Sequence, residues 1–167
     1  GKGRRIMDNN QAIGDYAGFL SFQYTPVKNF LFQPGIRIGY NTDFRYPLVT
    51  SLNMKWNIKN DFHWRLSYAK GFRAPSLKEM FLFFVDINHN VQGNPDLKAE
   101  YSNNRQISWT HKAENRYHTL ITEAWLFYNQ VKNRITMLEV DASDQLYSYI
   151  NIEEYITTGG SVNFKYH

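Results

Sequence analysis

An all-β fold, an antiparallel up-and-down meander of about seven or eight strands, is what this sequence predicts from its hydrophobic periodicity. Three observations carry that prediction. Apolar and polar residues alternate with period two in segment after segment, which sends successive side chains to opposite faces of a strand. Aromatic residues make up 17% of the 167-residue chain, with 12 Tyr, 12 Phe and 4 Trp, yet the mean hydropathy is −0.55. Many aromatics within a polar average suit strands that have one greasy face and one wet face. Finally, short and long connections alternate along the chain.

The elements follow in order. Leu20, Phe22 and Tyr24 alternate with Ser21, Gln23 and Thr25, and a short turn is expected at residues 26–29. Ile36, Ile38 and Tyr40 alternate with Arg37, Gly39 and Asn41, ahead of a longer connection at 42–47. Leu52, Met54, Trp56 and Ile58 alternate with Asn53, Lys55, Asn57 and Lys59, and Asn60–Asp61 make the next short turn. Phe62, Trp64, Leu66 and Tyr68 alternate with His63, Arg65, Ser67 and Ala69 and lead into a long loop, 71–102. Residues 105–112 form a strand with Ile107 and Trp109 on one side, then a short turn at 113–116. Residues 118–135 carry apolar side chains at both parities, as expected of a strand covered on both faces in part of its length. A long connection at 138–148 precedes a last strand with Val162, Phe164 and Tyr166 on one face. Tight turns on one side and long loops on the other are the asymmetry of an outer-membrane barrel, which places loop 71–102 outside the cell.

Composition removes several function classes. The formal charge is +4, from 19 Lys and Arg against 15 Asp and Glu, and the one short basic run is Lys2, Arg4 and Arg5, which reads as a solvated terminus. No nucleic-acid partner is expected. There is no Cys, so structural disulfides, thiolate metal sites and Cys nucleophiles are excluded. The longest apolar run, 80–85, falls far short of the ~20 residues a membrane-spanning helix needs. No signal peptide is visible, which for an envelope protein implies processing or truncation upstream. No Gly-rich phosphate loop, Ser–His–Asp context or carboxylate cluster emerges, so no catalytic residue, no resident cofactor and no enzyme activity are expected. His63, His111, His118 and His167 lack metal-ligand spacing, and His63 and His111 are assigned to the lumen face.

Four boxes stand out: Phe72, Arg73, Ala74, Pro75; then Asn94, Pro95, Asp96, Leu97 with Lys98 and Glu100; then Phe127-Tyr128-Asn129 with Val131-Lys132-Asn133-Arg134-Ile135; then Tyr149-Ile150-Asn151 with Gly159-Gly160. In type, order and spacing they resemble the boxes of TonB-dependent outer-membrane receptors. The family commonly has Pro where this chain has Ala99. The resemblance implies a 22-stranded barrel closed by a plug domain and energised through the TonB complex. Residues 1–167 would then be a partial barrel domain, lacking plug, TonB box and remaining strands. It implies energy-coupled uptake of a scarce nutrient, an iron complex such as a siderophore or haem, in the outer membrane of a Gram-negative cell. Haem receptors of the family carry a His between the two loop boxes, where this chain has His89. Neutral imidazole is a common axial ligand of haem iron. Haem would be a transported ligand.

Candidate ligand-binding residues in the loop are therefore Arg73, His89, Asn94 and Asp96. Arg73 could reach an anionic ligand, or pin the loop root by pairing with Glu79 or Glu100. Pro75 and Pro95 fix local geometry, Asn94 before proline should be extended, and Gly93 is expected to supply a positive φ. Trp56, Trp64, Tyr68 and Trp109 are candidates for interfacial girdles facing outer-membrane lipid. Two other readings stay open: a soluble β-barrel or sandwich binding module, with apolar faces inside, and a passive porin-like channel. An arc of barrel has free strand edges, so self-association is expected of the chain alone.

Overall fold

A computed structural model describes residues 11–86 and 89–167, with His89 described by its backbone alone. The basic residues Lys2, Arg4 and Arg5 lie outside the described residues, as do Asn88 and the side chain of His89.

The chain forms one antiparallel wall with a side excursion. β1 (Asp15–Ser21) and β2 (Tyr24–Val27) both pair with β3 (Phe30–Asn41) and act as one interrupted strand. The meander continues through β4 (Val49–Lys59) and β5 (Phe62–Arg73). The excursion then holds α1 (Leu77–Phe81), β6 (Phe83–Asp86) and β7 (His89–Gln92). The wall resumes with β8 (Glu100–Glu114) beside β5, followed by β9 (Thr119–Asp141) and β10 (Leu146–Tyr166). The sheet curls into a half-barrel. The β6–β7 hairpin reaches past β8 and β9 and adds to the far edge of β10, where β7 pairs in parallel through Asn90, Val91 and Gln92.

Register explains why the alternation works. Directly paired residues share a face, and one face carries the row Phe30, Trp56, Trp64, Trp109, Ala124, Val162. The next row is Phe32, Met54, Leu66, Ile107, Leu126, Gly160. The opposite face carries Gln33, Asn53, Ser67 and Gln106, and beside them Lys55, Arg65 and Ser108. No layer covers the apolar face: Ile38 is 64% exposed, Trp56 54% and Phe164 69%. A soluble barrel or sandwich would bury those side chains. Their exposure fits a wall whose apolar face meets hydrocarbon.

Two glycines serve this packing. The ring of Phe127 lies across its cross-strand partner Gly159, where a Cβ would come within 2.6 Å of the ring, and Tyr46 covers Gly39 with its Cζ only 2.5 Å from such a Cβ. An aromatic ring over a glycine fills the missing side chain and pins the register.

Four expectations are corrected. The connection expected at 138–148 is a tight turn, because the polar flanks of β9 and β10 stay in the ladder until Asp141 and Leu146. The loop expected at 71–102 is shorter, because the pair Arg73↔Glu100 extends the β5–β8 ladder and leaves 74–99 as the connection. His111 shares the apolar face with Trp109, two residues away on the same strand, and packs against the Phe62 ring at 6.0 Å between centroids. Gly93 does not supply a positive φ, since none of the described glycines has one. It permits close approach instead: a Cβ there would sit 2.6 Å from the backbone C and O of Met80.

Candidate functional site

The connection 74–99 is tied down by its own motif residues. Ser76 is the N-cap of α1, and its hydroxyl accepts from the Glu79 amide at 3.2 Å. Glu79 Oε2 returns the favour, accepting from the Ser76 amide at 2.7 Å. This is a capping box, which satisfies helix-start donors reciprocally. The same Glu79 carboxylate accepts from Arg73 Nη1 at 2.9 Å, while Arg73 Nε donates to Glu100 Oε2 at 2.7 Å. Glu100 Oε1 accepts the Ile135 amide at 2.6 Å. One guanidinium therefore bridges the end of β5, the start of α1 and the start of β8, and through Glu100 reaches β9.

The second box closes the other end. Asn94 Nδ2 donates to the Tyr149 carbonyl at 2.9 Å, and Asn94 Oδ1 accepts the Asp96 amide at 2.9 Å in an Asx turn. Asn151 pairs with the backbone of Lys98 in both directions, accepting its amide at 2.8 Å and donating to its carbonyl at 3.0 Å. Asn151 Nδ2 also reaches the Asn133 carbonyl at 2.7 Å. Asn133 has φ 53°, a left-handed conformation that Asn tolerates, and its side chain donates to the Ala99 carbonyl at 3.3 Å. All four sequence boxes thus meet in one hydrogen-bonded root.

Beneath this network lies the small core of the molecule. Met80, Leu97 and Ile135 are at most 8% exposed, with Ile13, Phe44, Phe81 and Tyr149 packed around them. Gly93 and Asn94 dock on α1 through Gly93 N–H to the Leu82 carbonyl at 2.7 Å and Asn94 N–H to the Glu79 carbonyl at 3.0 Å. Phe72 stacks between Tyr46 of the 42–48 connection, at 4.5 Å, and Tyr101 of β8, at 5.6 Å.

Charge is balanced locally. Its hydrogen bond to Glu100 pushes the Arg73 guanidinium further up from its usual range, against the pull of burial. Burial alone would raise the Glu79 carboxyl, but the hydrogen bonds from Arg73 and Ser76 outweigh it and hold the group below its ordinary value. Glu100 behaves likewise, with Arg73 and the Ile135 amide overcoming burial.

The four sequence candidates therefore occupy different settings. Arg73 and Asn94 are engaged within the root, Asp96 is exposed beside it, and His89 begins β7 opposite Asp86 at the tip of the hairpin. Asn133 and Asn151 are central to the root but were legible only as members of strand boxes. No group of three or more metal-ligating side chains occurs among the described residues. Apart from the root, a groove of ≈ 510 Å³ lies along the polar face, lined by Gln33, Asn53, Lys55, Arg65, Gln106 and Ser108 among others.

Comparison with known proteins agrees with this architecture. The family model described as "TonB dependent receptor-like, beta-barrel" matches residues 3–167. A haemoglobin and haemoglobin-haptoglobin-binding protein C of Haemophilus influenzae is 32% identical over 99 residues, 59% of this chain and 9% of that protein. An iron-regulated outer membrane virulence protein of Vibrio cholerae is 25% identical over 130 residues, 77% of this chain and 20% of that protein. The crystal structure of the siderophore receptor PirA from Pseudomonas aeruginosa superimposes with TM-score 0.79 at 19% identity, covering 98% of this chain and 30% of that one. The hemophore receptor HasR of Serratia marcescens gives TM-score 0.76 at 13% identity, covering 93% of this chain and 32% of that one. The chain thus spans less than two thirds of each relative. With its family model matched almost end to end and its apolar face exposed, the chain belongs to the TonB-dependent receptor β-barrel family.

Proposed function

We propose that the chain is part of a receptor in the Gram-negative outer membrane that takes up a scarce iron complex, haem or a ferric siderophore, with energy delivered through the TonB complex and gated by a plug domain. The observation that carries this reading is the hydrogen-bonded root, in which all four family boxes converge. The root holds a hairpin rigidly at the loop end of the wall, and a fixed scaffold with a projecting tip suits ligand capture. Relatives named for haemoglobin binding and for ferrienterobactin reception support an iron-bearing ligand.

Within that reading, Arg73 and Asn94 position the loop, while Asp96, exposed beside the root, and His89, by its position at the start of β7, are our candidates to meet the ligand. Haem is the preferred ligand, on the strength of the haemoglobin-binding relatives, with His89 as iron ligand. The experiment is growth of an iron-starved strain that depends on the full-length receptor. Growth on haem or a ferric siderophore, lost when TonB is deleted, is the expected result. Growth that survives TonB deletion would instead favour a passive channel. For haem, the purified receptor and its His89→Ala variant are titrated by Soret absorbance. An unchanged affinity in the variant removes His89 from the site.

A further inference from the structure

At the short-turn end of the wall, the apolar face holds a polar hollow that its hydrophobic rows do not account for. Trp56, Trp64 and Trp109 share one row across β4, β5 and β8. Belts of Trp mark the boundary between hydrocarbon and headgroups. The next row toward the turns pairs Lys59 with Phe62, Phe62 with His111 and His111 with Thr122. Beside it the turn at Asn60 and Asp61 is hooked onto β8, with the Lys112 amide donating to the Asp61 carbonyl at 2.7 Å. Between these elements lies a hollow of ≈ 420 Å³, lined by Lys59, Asp61, Phe62, Trp109, His111 and Thr122 among others.

The hollow carries an ammonium and a carboxylate, and the two are not joined. Lys59 has no acidic partner among the described residues. The Asp61 carboxylate meets only the His111 ring, with Oδ2 3.9 Å from Nε2, too far for a hydrogen bond. Asp61 therefore keeps its acceptors open, and Lys59 its three donors. His111 is steadied by packing, its ring edge-on to that of Phe62 at 6.0 Å between centroids. Phe62 and Trp109 give the hollow an apolar side that continues into the lipid-facing rows. Separated charges of both signs above an apolar side match a ligand that is zwitterionic at one end and apolar at the other.

We propose that Lys59 and Asp61, with His111 closing the hollow on its β8 side, bind the headgroup of an ethanolamine phospholipid in the periplasmic leaflet. The phosphate meets the Lys59 ammonium, whose long stem can lie along the hydrocarbon boundary. The primary ammonium of the headgroup donates to the Asp61 carboxylate. The acyl chains then follow the Trp row and the apolar rows beyond it. Each alternative lacks a contact. A choline headgroup has no N–H for Asp61, a glycerol headgroup brings no cation to it, and free phosphate engages Lys59 alone. Continuity with the exposed apolar rows selects a lipid over a soluble zwitterion. The proposal rests on the reading that this face meets membrane, and the test separates the two.

The full-length receptor in non-ionic detergent micelles is titrated with phosphatidylethanolamine, phosphatidylcholine or phosphatidylglycerol of matched acyl chains, and the first lipid retained is followed by native mass spectrometry. Wild type is expected to retain the ethanolamine lipid at ~10-fold lower concentration than the other two. Asp61→Asn should lose most of the preference for ethanolamine over choline, while Lys59→Gln should weaken retention of both alike. Soluble glycerophosphoethanolamine, at equal concentration, should leave the lipid in place. Equal retention of the three lipids by wild type overturns the site, as does a preference undiminished in Asp61→Asn or displacement by the soluble headgroup. The membrane reading is tested separately with a nitroxide attached through Leu126→Cys, a position 54% exposed on the same face, in reconstituted bilayers. Stronger relaxation by oxygen than by a water-soluble nickel chelate is expected. The reverse order overturns both; the expected order without headgroup discrimination overturns the site alone.

Discussion

The wall and the loop root are held together by opposite means. In the wall, backbone ladders join each strand to its neighbours, while side chains such as Ile38 and Phe164 stay exposed, as suits a face turned to lipid. In the root, the ladders on both sides of β8 end while β9 and β10 stay paired, and side chains take up main-chain groups of the connection: Asn94, Asn133, Asn151 and Glu100 each bond a main-chain group of another segment. The buried residues Met80, Leu97 and Ile135 lie here, where water and not lipid is the competing solvent. A wall strand depends on its neighbours and on the membrane. The root carries its own core, so it can order a loop beyond the membrane's reach.

That contrast is sharpest under matched truncations. Leu97→Ala removes a side chain that is 4% exposed, and should lower the local opening free energy of 74–99 by about 2–5 kcal/mol. Ile38→Ala, at a site 64% exposed, should change the same quantity by less than ~0.5 kcal/mol, since distant sites act independently. Hydrogen exchange of the 74–99 amides measures both, and similar effects would dissolve the distinction. Gly93→Ala comes next. The added Cβ meets backbone of α1, not the end of a flexible side chain, so strain of about 1–3 kcal/mol is expected. Faster proteolysis within 74–99, with heat-modifiable barrel migration unchanged, is the predicted signature. Asn151→Ala strands the Lys98 amide and carbonyl and the Asn133 carbonyl. The Lys98 groups are exposed and can turn to water, so the expected cost is that of ordinary hydrogen bonds, about 0.5–1.5 kcal/mol. Exchange should rise at Lys98 and Ile135 before it rises anywhere in β4 or β5.

Sequence reasoning reaches the wall more fully than the root, and the reason is physical. Strand alternation has a fixed period, so Trp56, Trp64 and Trp109 fall on one face by counting alone, and the structure adds only that they share one row. The same period puts His111, two residues from Trp109, on the face of that Trp. The flanks of β9 and β10 carry no such signal, because a strand polar on both faces has no apolar stripe to announce it. In the root, sequence reveals which residues matter without revealing what they touch. Asn94 and Asn151 are 57 residues apart, and both fasten the same few residues of loop to β10. Such pairings are set by the crossing of the hairpin over β8 and β9, which no local pattern encodes. Gly93 shows the same limit, because turn and close approach both call for glycine and only the neighbouring helix decides between them.

The smallest expected effect tests the electrostatic part of the root. Both Glu79 and Glu100 titrate below the ordinary carboxylate value of 4.5 in the folded protein, because Arg73 and backbone or hydroxyl donors favour their charged forms. A carboxylate whose folded value is depressed binds its proton more readily when the segment opens. Its stabilising contribution is therefore complete above pH 4.5 and is lost as pH falls through the lower, folded values. Arg73 stays charged throughout, being shifted the other way. Loop opening, followed by pulsed proteolysis of 74–99, should thus increase as the medium is acidified below pH 4.5, while wall strands keep their protection. Side-chain exposure of 45% at Arg73 lets solvent screen the pair, which keeps the effect modest and makes it shrink with salt. Glu100→Gln combined with Glu79→Gln should flatten the acid response at the cost of a looser root at neutral pH. An acid response that persists in the double variant would move the titrating group elsewhere, and the guanidinium bridge would then hold the loop by geometry alone.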